Sequence, residues 1–201
     1  TSIYVRNDVP HSEIDLNTNL DIKAISLNNQ KIYTLCSIYI SPSYKLEISQ
    51  LENLLQNLPS PCMILGDYNA HNTLWKSQNT NRRGRIVEDF ITKNNLSILN
   101  DESPTYLSPA TGTMSIIDLA ICRPQLFLDF DYNVIDDLHG SDHFPISLSP
   151  ARAPLVENPA RWKLHKADWI RFEQLCNENL ATTEFTDDGD KMKSFTDILY
   201  N

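Results

Sequence analysis

Cys62-Met63-Ile64-Leu65-Gly66-Asp67-Tyr68-Asn69 is the stretch from which the fold of this chain can be worked out. Its first four residues are apolar, which predicts a buried strand, and the strand runs directly into the polar residues Asp67 and Asn69. A strand that ends in polar side chains holds them rigidly, and this layout is common in active sites. Asp-x-Asn also forms turns and helix caps, because both side chains hydrogen-bond their own backbone, so a structural role stays open here.

Two further motifs follow along the chain, Ser115-Ile116-Ile117-Asp118-Leu119 and Gly140-Ser141-Asp142-His143-Phe144-Pro145-Ile146. A carboxylate inside a strand, as at Asp118, needs a partner because its burial costs free energy. Taken singly, each motif also fits a structural role. Together they contain what phosphodiester hydrolysis requires: an activated water, a group that stabilises the charge of the transition state, and side chains for Mg²⁺.

Each polar residue of the three motifs suits one part of that chemistry. Asp67 can accept a proton from water or hold the water in place, and Asn69 can donate its amide to a phosphate oxygen. Asp142 can contribute to a metal site or orient the water. His143 can act as an acid or hydrogen-bond the scissile phosphate, and Asp118 would fix the tautomer of that imidazole.

The segments around these motifs predict an α/β fold. Apolar and β-branched runs predict strands, the second and third of which are joined by a hairpin turn at 28–30, and leucine-rich or amphipathic spacing predicts two helices. The predicted strands are 2–6, 22–27, 31–40, 62–65, 96–99, 115–122 and 143–148, and the predicted helices are 46–58 and 84–95. Many strands with two intervening helices indicate a sandwich of two facing sheets with helices outside.

Composition restricts the classes of protein that this chain can belong to. No apolar run reaches the length of a membrane span, and the first residues lack the layout of a signal peptide, so we expect an intracellular protein without a membrane partner. The cysteines are far apart and unpaired with histidine. Cys36, Cys62 and Cys122 lie in apolar runs, which predicts buried thiols, whereas Cys176 lies outside them.

Net charge argues against a protein that binds nucleic acid by bulk electrostatics, because the chain carries a formal charge of -9. The exception is a basic cluster, Arg82, Arg83 and Arg85, shortly after the first motif. A phosphate contact and a solvated loop are both open for it.

A change of composition near residue 150 predicts a domain boundary. Pro150, Pro154 and Pro159 lie within ten residues, which is typical of a linker, and 161–201 is weakly helical and acidic towards its end. We therefore predict one domain at 1–149 and a linker with a connector at 150–201.

Over residues 1–149 the three motifs resemble those of the endonuclease/exonuclease/phosphatase superfamily: GD-x-N at Asp67 and Asn69, S-x-x-D at Asp118, and SDH-x-P at His143. The resemblance implies a four-layer α/β sandwich of the DNase I type and a Mg²⁺ or Mn²⁺ cofactor held by Asp67 and Asp142. It also implies that Tyr39, in Ser37-Ile38-Tyr39-Ile40-Ser41-Pro42, hydrogen-bonds the scissile phosphate.

Within the superfamily, the chain is most similar to endonucleases of LINE-type, jockey-like non-LTR retrotransposons. The similar segments are Ala70-His71-Asn72-Thr73-Leu74-Trp75, Pro104-Thr105-Tyr106 followed by Gly112-Thr113, and the connector at 161–169. The resemblance implies DNA as substrate, a reverse transcriptase domain and RNA as partners, and nuclear action of the parent element. The substrate contacts that it implies are His71, Thr113, Ser115 and Arg83.

Three departures from that pattern stand out. Asn72 replaces a histidine and Lys76 a glycine, and both are expected to alter substrate contacts more than chemistry. The family also has an asparagine and a metal-binding glutamate upstream of a segment resembling 2–8, where this sequence begins. We therefore expect a fold incomplete at its N-terminus, with an uncovered sheet edge and weakened or absent activity; Glu13 lies in an unrelated context and is not expected to substitute.

Two alternatives stay open at this point. One is a phosphatase or phosphodiesterase that acts on a lipid headgroup or a nucleotide. The other is a remnant without an activity of its own. The retrotransposon-like segments favour the endonuclease.

Overall fold

The computed structural model describes residues 1–29, 31–151 and 168–181. By their contacts, the residues group into two units, Thr1–Arg152 and Ala153–Asn201. Most of the predicted linker and connector, together with Gln30 of the predicted hairpin turn, lies outside the described residues. The assignment of 1–149 and 150–201 as separate functional domains stays a prediction.

Ten strands, four α-helices and one short 3-10 helix make up the described secondary structure. In chain order they are β1 (His11–Ile14), β2 (Asp21–Asn29), β3 (Lys31–Tyr39), α1 (Ile48–Asn57), β4 (Cys62–Asp67), the 3-10 helix (Thr73–Trp75), α2 (Arg82–Lys93), β5 (Ser97–Ile98), β6 (Tyr106–Leu107), β7 (Met114–Ser115), β8 (Asp118–Cys122), α3 (Pro124–Phe127), β9 (Phe130–Val134), β10 (Ile146–Pro150) and α4 (Trp169–Ala181).

A mixed six-stranded sheet in the order β1-β2-β3-β4-β8-β5 forms the centre of the first unit. Its pairs are antiparallel except β3 and β4, which are parallel because the chain returns through α1. Residues of β4 alternate between the two faces, since side chains of a strand point to opposite sides. Ile64 belongs to the core on one face, and Met63 belongs to the core on the other.

The larger core lies between the sheet and the helices α1 and α2. Leu51, Leu54 and Leu55 of α1 are buried in it, and Phe90 of α2 is fully buried. The start of α2 is fixed by Asn81, whose Oδ1 accepts the Gly84 N–H at 2.7 Å. Burial of one apolar stripe per helix therefore holds both helices against the sheet.

The opposite face of the sheet carries a smaller core. Met63, Ala120 and Cys122 are buried there, and Tyr132 and Leu148 of the antiparallel pair β9–β10 pack against them. The predicted α/β fold is confirmed. Within the described residues, the strand pair packed on this face is β9–β10, and β6–β7 forms a further two-stranded sheet.

Three predicted strands are absent, interrupted or shorter than the sequence suggested. In the described range 1–29, residues 2–6 form no strand and the first strand starts at His11. The predicted strand 115–122 is interrupted, because the Ile117 N–H donates to the Thr105 side chain at 3.1 Å instead of to a neighbouring strand. The predicted strand at 143–148 begins only at Ile146, and Phe144 N–H donates to Thr105 O at 2.8 Å.

The three cysteines of the apolar runs are buried free thiols, as predicted. Burial is the main cause that raises the pKa of Cys36 to about 12 and that of Cys122 to about 11. Both thiols therefore stay protonated. Across the described ranges, no helix combines the length and the apolar character that a membrane crossing requires.

Candidate active site

Three strand ends bring the predicted catalytic residues together. Tyr39 at the end of β3 stands opposite Asp67 at the end of the parallel strand β4. Asp118, which begins the antiparallel strand β8, stands opposite Asp67 on its other side. Residues that are 28 and 51 positions from Asp67 in the sequence thus form one row across the edge of the sheet.

The loop after β4 locks Asn69 onto Asp67. The Asn69 N–H donates to Asp67 Oδ1 at 2.7 Å, and Asn69 Nδ2 donates to Asp67 Oδ2 at 2.8 Å and to Ile40 O at 3.1 Å. Asn69 has a φ of 46°, a left-handed conformation that asparagine tolerates better than most residues. Both amide hydrogens are thus engaged within the protein. The role predicted for this amide, donation to a phosphate oxygen, is not the role this geometry gives it.

The environment of Asp67 favours proton exchange near neutral pH. Burial, opposed by the Asn69 backbone hydrogen bond and reinforced by the negative charge of Asp118, raises the pKa of Asp67 to about 6. The His143 ring and the Asn69 side chain lower that pKa in turn. A carboxyl group with such a pKa can take up a proton from water or exchange it for a cation.

Asp118 and His143 form a hydrogen-bonded pair. His143 Nδ1 lies 2.9 Å from Asp118 Oδ2, and the two side chains are 33% and 15% exposed, respectively. The His143 ring also packs against the Tyr106 ring with centroids 4.9 Å apart. A carboxylate at Nδ1 holds the proton there and leaves Nε2 as the nitrogen that can reach a substrate.

Thr105 joins two of the sequence motifs, a role that sequence reasoning missed. Its buried Oγ1 accepts the N–H groups of Ile117 and Asp118, both at 3.1 Å. Its backbone bonds Ser115 O at 2.9 Å and the Phe144 N–H at 2.8 Å. The segment around Asp118 is therefore tied to the segment around His143; the only signal in the sequence was the family-like Pro104-Thr105-Tyr106 segment.

Asn100 is a second supporting residue that the sequence did not single out. Its Nδ2 donates to Asp118 O at 2.9 Å, and its Oδ1 accepts the Ala120 N–H at 2.8 Å. Nδ2 also donates to the Tyr132 hydroxyl at 2.8 Å. This amide takes the place of a neighbouring strand beside the first residues of β8.

Most of the predicted site residues line one cleft of about 460 Å³. The predicted residues in its lining are Tyr39, Asp67, Asn69, His71, Thr113, Ser115, Asp142 and His143. Asp118 reaches the cleft through its bond to His143. The three motifs therefore converge on a single concave surface.

The carboxylates of Asp67 and Asp118 and the imidazole of His143 each place one ligand atom within 4.8 Å of the others. This is the one such group of three among the described residues. Asp142, predicted as a metal ligand, lines the same cleft but is exposed and outside that group. Glu13 lies exposed on β1 and is likewise outside it.

Arg83, for which the sequence left a phosphate contact and a solvated loop open, is bonded to the protein backbone. Its two terminal nitrogens donate to backbone carbonyl oxygens, among them Asn69 O at 3.3 Å and Tyr44 O at 2.7 Å. Arg83 is half-buried, and this burial is the main cause that lowers its pKa. It is therefore committed to the protein backbone rather than free to bind a phosphate.

The two departures near the first motif also have structural roles. Asn72 is buried; its Oδ1 accepts the Leu74 N–H at 2.8 Å and its Nδ2 donates to Glu88 Oε2 at 2.7 Å. Lys76 ends the 3-10 helix with a φ of 63° and forms an exposed ion pair with Glu102 at 3.1 Å. The prediction that Asn72 alters substrate contacts is not supported, because its amide faces the protein interior.

Comparisons with known proteins find relatives along most of this chain. A model of the endonuclease-reverse transcriptase family matches residues 33–147. The RNA-directed DNA polymerase from mobile element jockey of Drosophila funebris is 26% identical over an alignment of 208 positions. The alignment covers 98% of this chain and 22% of that protein. Its Drosophila melanogaster counterpart is 27% identical over 161 residues, 77% of this chain and 17% of that protein. The chain thus spans about a fifth of the length of these curated relatives.

Among solved structures, the endonuclease domain of TRAS1, a telomere-specific non-LTR retrotransposon, is similar to this fold. The two share 25% sequence identity with a TM-score of 0.64, over 71% of this chain and 67% of that domain. The fold of this chain is therefore similar to that of a known endonuclease domain.

Proposed function

This chain belongs to the endonuclease-reverse transcriptase family, and from that premise we propose that it nicks DNA by metal-dependent hydrolysis of one phosphodiester bond. By family it is an endonuclease of a non-LTR retrotransposon, with the α/β fold of that class. DNA as substrate and Mg²⁺ or Mn²⁺ as the cation are the specific parts of the proposal.

The observation that carries the proposal is the Asp118–His143 pair, placed beside Asp67 in one cleft. A histidine oriented by a carboxylate is a common device for moving a proton to or from a reacting oxygen. The second carboxyl group of the cluster, that of Asp67, has a pKa of about 6. These are the groups that hydrolysis of a phosphate diester requires.

The residues divide the reaction between them. Asp67 orients the attacking water, and Asn69 keeps both oxygens of that carboxylate in place. His143 donates a hydrogen bond or a proton from Nε2 to the phosphate, while Asp118 holds the ring through Nδ1. Tyr39 lines the same cleft and places its hydroxyl against a phosphate oxygen. A bound divalent cation would supply positive charge to the phosphate and to the leaving oxygen.

The donor set fits a cation that keeps most of its water. Mg²⁺ is usually held by one or two carboxylates together with substrate phosphates. Asp118 and His143 bond each other, so the Asp67 carboxylate would be the main protein ligand. Each of its oxygens retains a further lone pair beside the bond to Asn69. Two neighbouring carboxylates also repel each other, and a bound cation would reduce that repulsion.

We further propose that the protein from which this domain derives carries a reverse transcriptase, uses its own RNA as template, and acts in the nucleus. The support is the name shared by the relatives, RNA-directed DNA polymerase. A tagged chain expressed in cells and found stably in a secretory compartment would contradict the nuclear part.

The test is nicking of supercoiled plasmid by the purified chain, with and without Mg²⁺. We expect a relaxed product that requires both the cation and His143, with His143→Ala reduced by roughly 100-fold or more. The matched control is His139→Ala, because His139 also lies near an aspartate, Asp137, at 3.6 Å, but is exposed. Its activity should equal that of the unaltered chain.

Other results of the same assay would overturn the proposal. A folded protein that leaves plasmid intact but releases phosphate from an inositol phosphate or a nucleotide is a phosphatase. A folded protein inactive on all of them is a remnant without activity.

A further inference from the structure

We propose that Arg83 is the positioning residue of this site: it holds the loop after Tyr39 and the loop of Asn69 in a fixed relation to each other. The catalytic consequence rests on the proposed nuclease function, whereas the positioning itself does not. Tyr39 and Asp67 end two neighbouring strands, so the loops that leave these strands determine how both side chains are presented.

The guanidinium group of Arg83 lies within hydrogen-bond distance of six carbonyl oxygens from two loops, and its four Nη hydrogens are shared among them. Nη1 takes three acceptors and Nη2 takes the other three. The Nη1 acceptors are Ile40 O at 3.3 Å, Tyr68 O at 3.2 Å and Asn69 O at 3.3 Å. The Nη2 acceptors are Ser41 O at 2.9 Å, Pro42 O at 3.1 Å and Tyr44 O at 2.7 Å.

Such a cluster of carbonyl oxygens is unfavourable without a cation at its centre. Six carbonyl dipoles point their negative ends at one place, and half-buried carbonyls that lack a donor cost free energy. Arginine suits this place because its planar fork presents donors in two directions at once. Lysine would offer three donors from a single nitrogen atom and would satisfy only part of the set.

Arg83 together with its six carbonyl acceptors, called the clamp from here on, connects directly to the reacting groups. Ile40 O accepts both from Arg83 Nη1 and from Asn69 Nδ2, so one carbonyl links Arg83 to the amide that holds Asp67. Ile40 N–H also donates to Asp67 O at 2.8 Å. A shift of Arg83 would therefore move the backbone on both sides of the Asp67 carboxylate.

Arg83 itself stands on a rigid base. It lies in the first turn of α2, which is capped by Asn81. The next residue, Gly84, packs so closely against the chain that an added Cβ would lie 1.8 Å from His71 O. The turn that carries the guanidinium is thus anchored to the same loop that the guanidinium holds.

Hydrogen–deuterium exchange tests the positioning independently of any activity. In Arg83→Ala we expect faster exchange of the Ile40, Tyr44 and Asn69 amides, which are hydrogen-bonded in the two loops. Exchange in β8 should stay unchanged. Equal exchange in the variant and the unaltered chain would overturn the proposal, and so would a uniform increase across the sheet, since that would show a global loss of stability.

Nicking kinetics test the catalytic consequence. We expect Arg83→Lys and Arg83→Ala to lower kcat by about 10- to 100-fold with KM for plasmid within about twofold, as a misplaced catalytic group does. Added methylguanidinium should restore part of the kcat of Arg83→Ala, because Arg83 lines an open pocket of about 560 Å³ through which a small cation can enter. Lys93→Ala is the control, an exposed cation in the last turn of the same helix with unchanged kinetics expected.

The outcomes separate the two proposals. If the unaltered chain does not nick plasmid, the proposed function fails while the exchange measurement still decides the clamp. If the chain nicks plasmid and Arg83→Lys has unaltered kcat and unaltered exchange, the clamp fails and the function stands. A rise in KM with unaltered kcat would show a substrate contact, which would also overturn the positioning role.

Discussion

Asp67 uses the same carboxylate oxygens for protons and for a cation. Because burial raises its pKa to about 6, protons compete with a cation below that pH, and they do not compete well above it. We expect the association constant for Mn²⁺ to be nearly constant above pH 7 and to fall by up to about tenfold per pH unit below pH 6. Electron paramagnetic resonance of free Mn²⁺ measures this constant across the pH range.

Asp67→Asn is the comparison for that titration. The variant should bind Mn²⁺ weakly and should lose the pH-dependent step near 6, because the competing carboxyl group is gone. An affinity that stays flat through pH 6 in the unaltered chain would exclude Asp67 as the central ligand.

The roles of individual site residues were harder to predict than their positions. Asp118 and His143 lie within hydrogen-bond distance, the arrangement expected from their side chains, since tautomer control needs only those two groups. The roles of Asn69 and Arg83 differ from the prediction because their donors meet carbonyl oxygens from distant residues. Hydrogen bonds between residues 29 or 43 positions apart leave no local signal in a sequence.

The close pairing of β3 and β4 requires glycine at position 66. An added Cβ would lie 1.9 Å from Ile38 O, and the backbone there has a φ of 147°. We expect Gly66→Ala to lower the free energy of unfolding by roughly 3 kcal/mol, from steric overlap and backbone strain together. Urea denaturation followed by circular dichroism measures the change.

Gly112→Ala separates the two contributions in that prediction. Gly112 also has a positive φ, 68°, but an added Cβ there meets no atom within 4 Å. Its substitution should therefore cost only the strain, roughly 1–2 kcal/mol. Equal losses for both variants would show that the close approach to Ile38 is not what requires glycine at 66.

Helices and strands in the first unit were predictable where periodicity was strong. The leucine spacing of α1 and the apolar run of β4 correspond to buried faces, so local pattern and tertiary packing agree. The break between β7 and β8 was not predictable, because the Thr105 side chain, rather than a strand, takes the backbone donors of Ile117 and Asp118.

The first unit contains the whole set of described site residues, so it should function without the second. We expect a chain shortened to residues 1–152 to keep its cooperative thermal unfolding and its nicking rate within about twofold of the full chain. Differential scanning calorimetry and the plasmid assay measure both. A shortened chain that fails to unfold cooperatively would show that residues 153–201 belong to the folded domain, contrary to the predicted boundary.

Overall charge has little bearing on this site. The chain carries a formal charge of -9, yet its cleft needs only one or two carboxylates, a histidine and a cation to attract a phosphate. The net charge by itself argues against a nucleic acid partner, and the geometry of the cleft argues against it less strongly.

The amino-acid order alone was sufficient for the α/β class, the family and the set of residues that meet in the cleft, because motifs at strand ends keep their spacing and polarity in the linear chain. Tertiary structure was needed for the division of labour among them. It commits Arg83 and Asn69 to the backbone and turns Asn72 towards the interior. It also makes Thr105 the link between two motifs. A side chain's role depends on which donors and acceptors surround it, and folding brings those from distant parts of the chain.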